Sequence, residues 1–281
     1  MKQKMSYKNG RTPLHIASRR GNLGKMKVLM EKGDNIESKD NHSFTPLHVA
    51  SNHGQLESTK LLLENGANIE AIDDCDFTPL LSASLLGEFE VVQILIEKGA
   101  NFEACDDYSS NSLHYASENG YMEIMKLLLR KGANIEAGDN DNCTPLHNAT
   151  KYGQVESMKL LMETGANIEA RDNRGKTPIH YASKKKNLKP IKLLLSRGAK
   201  IEARDNRGKT ALDVASKKNN LKIVKLLEEY IKSTKIQYFF RIIIAKNVSN
   251  NLRAEPDNLF DAEFSIMRKK MLKIDDSCFK K

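Results

Sequence analysis

Tryptophan is absent from this chain of 281 residues, and aromatic residues make up only 6% of it. Its core must therefore come from aliphatic side chains, Leu, Ile and Ala above all, which suits closely packed helices. Cysteine is scarce as well: Cys75, Cys105, Cys143 and Cys278 stand far apart, with no Cys-x-x-Cys pair. That spacing excludes a disulfide framework and a structural zinc site. It points to a reducing, intracellular setting, most simply the cytoplasm, with the nucleus left open. The longest apolar run, Tyr238 to Ala245, is too short to span a bilayer and contains Arg241, so no transmembrane segment is expected. The first residues, Met1-Lys2-Gln3-Lys4, lack the apolar stretch of a secretory signal. Catalytic signatures are missing too, with no Ser/His/Asp set, Cys/His pair or Gly-rich phosphate loop outside the pattern that follows. The chain reads as non-catalytic, with no cofactor and no metal site.

What is present is a period. Thr12-Pro13-Leu14-His15 returns as Thr45-Pro46-Leu47-His48, Thr78-Pro79-Leu80-Leu81, Asn111-Ser112-Leu113-His114, Thr144-Pro145-Leu146-His147, Thr177-Pro178-Ile179-His180 and Thr210-Ala211-Leu212-Asp213, each time 33 residues on. Such a period means stacked units, none of which can bury its apolar faces alone. In the second copy Thr45 suits a helix N-cap and Pro46 the first helical position, where its missing N–H costs nothing. Leu47 and Ala50 share one face, and Gly54 closes the short helix in a left-handed conformation. A second helix begins near Leu56, carries Leu61, Leu62 and Leu63, and ends at Gly66. Ala67 to Asp73 then forms an extended, turn-rich finger. The fifth residue after the Thr position is Ala in all seven copies, which lets helices approach closely.

Residues 1–231 resemble the ankyrin-repeat family. The likeness is carried by the Thr-Pro-Leu-His-x-Ala signature, the Gly nine residues after the Thr, and the Gly-Ala pairs closing the second helix, from Gly66-Ala67 to Gly198-Ala199. It implies an all-α solenoid of seven repeats, each a helix-turn-helix with a β-hairpin finger, and a concave binding surface. It also implies that His15, His48, His114, His147 and His180 are structural, bonding finger backbone between neighbouring units. His42 and His53 fall on the binding side instead. Three departures matter. Asp213 replaces the histidine in the seventh copy, as suits a terminal repeat. Lys186 and Asn219 replace the helix-closing Gly; Asn tolerates a left-handed backbone but Lys does so poorly, so the turn at Lys186 should be altered.

With the scaffold assigned to the constant positions, function belongs to the variable ones. The resemblance places these at six, four, three and one before the Thr, and seven and eight after it. In the middle copies they include Phe44, Ile72, Phe77, Leu85, Leu86, Tyr108 and Tyr152, an apolar set suited to anchoring a partner; packing of Phe44 and Phe77 between adjacent fingers is the less favoured alternative. In copies six and seven they include Arg171, Arg174, Lys176, Lys184, Lys185, Arg204, Arg207 and Lys209, so the formal charge of +9 is concentrated at one end. The expected function is a protein-interaction scaffold or adaptor, a monomeric array whose partner carries an apolar segment flanked by acidic residues. Binding of nucleic acid or acidic lipid through the basic copies is an alternative, weakened for nucleic acid by the lack of aromatic stacking platforms there. A regulatory or substrate-adaptor subunit of an enzyme complex is another.

Residues 232–281 leave the period. Ile236 to Ala245 is rich in aromatic and β-branched residues and favours a strand or buried segment. Phe260, Phe264, Met267, Met271 and Ile274 follow a helical spacing with basic neighbours, as expected of a helix capping the array.

Overall fold

The computed structural model describes residues 8–234 and 236. The chain divides into two compact units, Met1–Leu227 and Glu228–Lys281. In the second, residues 228–234 and 236 are helical. Ile236, the first residue of the expected strand, is therefore in a helix and exposed. The rest of that segment and the expected capping helix at 260–274 lie outside the described residues.

The first unit is a succession of helix pairs: α1 (Pro13–Arg19) with α2 (Leu23–Glu31), α3 (Pro46–Asn52) with α4 (Leu56–Glu64), α5 (Pro79–Leu86) with α6 (Phe89–Glu97), α7 (Ser112–Asn119) with α8 (Met122–Arg130), α9 (Pro145–Tyr152) with α10 (Val155–Glu163), and α11 (Pro178–Ala182) with α12 (Leu188–Ser196). The seventh pair consists of α13 (Ala211–Lys217) and a helix beginning at residue 221. Odd-numbered helices stack on one another in a row, and so do the even-numbered ones through α12. The constant alanines make the first row tight, since Ala50, Ala83, Ala116, Ala149, Ala182 and Ala215 are all fully buried. A methyl group leaves room for the neighbouring backbone, and the leucines of the second row fill what remains. Leu14, Met26, Leu47 and Leu62 form one such cluster across the first two copies.

Each first helix starts as the sequence dictates. Thr45 is extended and its hydroxyl accepts from the His48 amide, with Pro46 following at the first helical position. The ends vary. Gly87, Gly120 and Gly153 are left-handed caps of α5, α7 and α9. In the sixth copy, where Lys186 stands in place of Gly, α11 stops after five residues and gives way to turns and a bend. Asn219, by contrast, adopts the left-handed conformation, with φ 53°.

Candidate functional site

The fingers are built by one aspartate each. Asp40 Oδ1 accepts from the amides of His42 and Phe44, while its own amide donates to the Phe44 carbonyl. Asp73, Asp106, Asp139, Asp172 and Asp205 repeat this arrangement. The side chain does much of what a ladder of backbone bonds would do, so the fingers are hairpin-like turns, and no strand occurs among the described residues. Neighbouring fingers are joined by one backbone bond each, such as Asp107 N–H to the Cys75 carbonyl and Asn140 N–H to the Tyr108 carbonyl. A second tie runs beneath: Glu37, Glu70, Glu103, Glu136 and Glu169 each accept from an amide of the following copy at 2.7–2.8 Å.

The five signature histidines are fully buried. In each, Nδ1 accepts from the N-cap amide, which leaves the proton on Nε2 to reach a carbonyl of the next finger: Phe44, Phe77, Cys143, Lys176 or Lys209, at 2.8–3.1 Å. This is the bridging role the resemblance implies. Leu81 occupies the equivalent place in the third copy, so the finger before Asn111 receives no imidazole.

Along the finger side, the apolar positions of the central copies divide by exposure. Tyr108 is 65% exposed, Leu86 49%, Tyr152 47% and Ile72 45%. Phe44, Phe77 and Leu85 are half-buried. Phe77 lies against Tyr115, with ring centroids 5.4 Å apart, and Phe44 against His48 at 5.8 Å. Both phenylalanines thus combine packing with partial exposure. Tyr115 comes from the next copy and donates its hydroxyl to Asp106; burial and that bond push its phenol up, so it stays a donor. Cys75 and Cys105 are exposed, whereas Cys143 is buried although it too lies in a finger. Its thiol lies 3.3 Å from the hydroxyl of Tyr181, whose proton goes to Asp172 at 2.7 Å. Burial pushes the Cys143 thiol up, which makes it less reactive.

In copies six and seven the fingers turn at Gly175 and Gly208, with φ 70° and 72°. Between them lies a groove of about 540 Å³. It brings together Arg174, Lys176, Lys184, Arg207 and Lys209, with Lys217 and Lys218 from α13. Other basic positions are engaged elsewhere: Arg171 and Arg204 bond the carbonyls of Gly175 and Gly208 in their own fingers. Lys185 is exposed and does not line the groove. Lys184 Nζ sits 4.3 Å from the centre of the Tyr181 ring. Burial, and next the repulsion from Lys176, hold its ammonium below the usual lysine value.

A sequence model described as ankyrin repeats, in three copies, matches residues 1–73, 71–139, 123–205 and 146–237. The chain belongs to the ankyrin-repeat family. Among solved structures it is similar to the human ASB11 ankyrin repeat domain, at 32% identity and TM-score 0.68, covering 76% of this chain and 98% of that one. It is also similar to the ankyrin repeat domain of Bcl-3, described as a member of the IkappaB protein family, at 28% identity and TM-score 0.65, covering 74% and 95%. No curated protein sequence matches the chain. Ankyrin-repeat domains are generally protein–protein interaction modules and typically non-catalytic. Among the described residues no group of three or more His, Cys, Asp or Glu could hold a metal ion, and no helix is long and apolar enough to cross a membrane. Reading the variable positions of this ankyrin array missed Tyr115 and Tyr181, four residues after the N-cap. That place holds Ile16, Val49, Ser82, Asn148 and Val214 in the other copies, and its variability was the available signal.

Proposed function

We propose that this chain is a non-catalytic scaffold or adaptor that binds a protein partner on the side formed by its fingers and first helices. The observation that carries the reading is where uncovered apolar area collects. Of seven exposed large hydrophobic side chains among the described residues, four (Ile72, Leu86, Tyr108 and Tyr152) occupy finger-side positions of copies three to five. Apolar residues gathered on one exposed side mark a binding surface, and tyrosines there carry much of the affinity. The partner presents an apolar segment to these copies and acidic residues beside it. The array acts as a monomer, and its free thiols Cys75, Cys105 and Cys143 suit a cytoplasmic setting.

The test uses the full chain as bait, followed by titration of the captured partner against Tyr108→Ala and Tyr152→Ala. Each truncation should weaken binding by about 1–2 kcal/mol, a factor of about 5–30. Unchanged affinity in both variants would remove the apolar centre from the reading.

A further inference from the structure

We infer that the groove between the sixth and seventh fingers is a docking site for an acidic peptide segment, read as a run of carboxylates on an extended chain. The inference deepens the reading above, since it treats the finger side as protein-binding, but it stands on a separate set of residues.

Among the described residues, seven cations line the groove and a single carboxylate, that of Asp205. Asp205 is buried and its charge is spent inward: burial alone would raise its carboxyl, but the amides of Lys209 and Arg207 outweigh that and hold it low. Of the seven cations, only Arg174 has an acidic partner among the described residues, Asp141 at 3.0 Å. Lys176, Lys184, Arg207, Lys209, Lys217 and Lys218 therefore converge without an acid in ion-pair reach among the described residues. Like charges brought together in this way repel one another, and an anionic occupant would relieve the repulsion. The volume lies within the range of about 300–1,000 Å³ typical of sites for small ligands and short segments, too little for a folded domain. Lysines predominate, and each is a point charge on a flexible stem rather than a planar fork. They suit a succession of carboxylates better than one geometrically fixed anion.

Two observations favour a peptide over a long polyanion. Among the described residues no exposed aromatic ring lines the groove, and Tyr181 lies buried beneath Lys184, so these residues offer bases no stacking surface. The positive tract is also short. Beyond it the exposed carboxylates of Asp107, Asp76 and Asp74 carry the opposite sign. A nucleic acid or anionic membrane extending past the groove would meet these acids, whereas a short acidic segment would end before them.

The experiment is an anisotropy titration of the full chain with a labelled oligo-glutamate peptide that contains no apolar residue. Such a probe reads the groove alone, while Tyr108→Ala with the captured partner reads the apolar centre alone, so either can fail without the other. The triple variant Lys209→Glu, Lys217→Glu, Lys218→Glu changes exposed side chains, and circular dichroism confirms that it folds. It should weaken peptide binding by about tenfold or more. Reversing Lys60, Lys126 and Lys159 on the second helices alters net charge equally and should leave binding unchanged. Equal loss from both triple variants, or no loss from the first, would overturn the proposal. So would tighter binding of a single-stranded oligonucleotide of equal charge, or of phosphatidylserine vesicles, than of the peptide.

Discussion

At His48, Nδ1 accepts from the Thr45 amide at 3.2 Å while Nε2–H donates to the Phe77 carbonyl at 2.9 Å, a pairing open only to the neutral ring in one tautomer. A proton on Nδ1 would face the Thr45 N–H. Burial pulls His15, His48, His114 and His147 below their ordinary value of 6.5, and the bond to the finger carbonyl offsets this only in part. Between the lowered folded value and 6.5 the unfolded chain binds more protons. Stability from these residues is thus complete above about pH 6.5 and is lost as pH falls below it. The urea midpoint should accordingly drop between neutral pH and about pH 5, well before the aspartates titrate. Asp213, held low by the Thr210 amide, keeps its full contribution above its ordinary value of 3.8 and loses it only as pH falls further, outside the histidine window. A midpoint constant over that range would show that the imidazoles are not held neutral by the fold.

Helix ends set the dimensions of each element, and their cost is measurable at two glycines. Gly87 caps α5 with φ 82°, and Gly99 follows α6 with φ 93°. Replacing either with Ala forces a side chain into the left-handed region, at about 1–2 kcal/mol. A Cβ at Gly99 would meet nothing, whereas one at Gly87 would come within 2.7 Å of the Tyr121 ring. Gly87→Ala should therefore be the more destabilising variant in denaturant titration; equal losses would mean that the ring moves aside freely. The sequence revealed these ends because Gly, Thr and Pro act locally. It also flagged the sixth copy, where Lys186 lacks the backbone freedom of Gly and α11 stops early. Cys143 and Phe77 were harder to read. Whether a finger residue is covered depends on the next copy, where Tyr181 overlies the one and Tyr115 the other. Those tyrosines occupy a place that holds Ile, Val, Ser or Asn in the other copies; its variability marks the place but does not show how far a side chain there reaches.

Over the whole array, stability is a sum of units and seams, and both are uneven. The α9 helix buries six of its residues, whereas α13 buries only Ala211 and Ala215. Native-state hydrogen exchange should find the amides of α13 opening well before those of α5, α7 and α9; equal protection would indicate that the array opens as a single block. The period and the family were legible because repetition averages out local noise. The basic groove was legible as a charge count, Lys217 and Lys218 included, although the sequence did not show that Arg171 and Arg204 turn back onto their own fingers. The last histidine position bears on how such a chain can lengthen. Asp213 Oδ2 accepts from the Thr210 amide and hydroxyl, both at 2.8 Å, and a carboxylate has no proton to offer a following finger. A duplicated copy inserted before it inherits a donor at the join. One added after it starts without that donor, as at Leu81, and would need a substitute such as the Tyr115 contact. The join after Asp213 therefore has no imidazole bridge to draw on and must be held by other contacts.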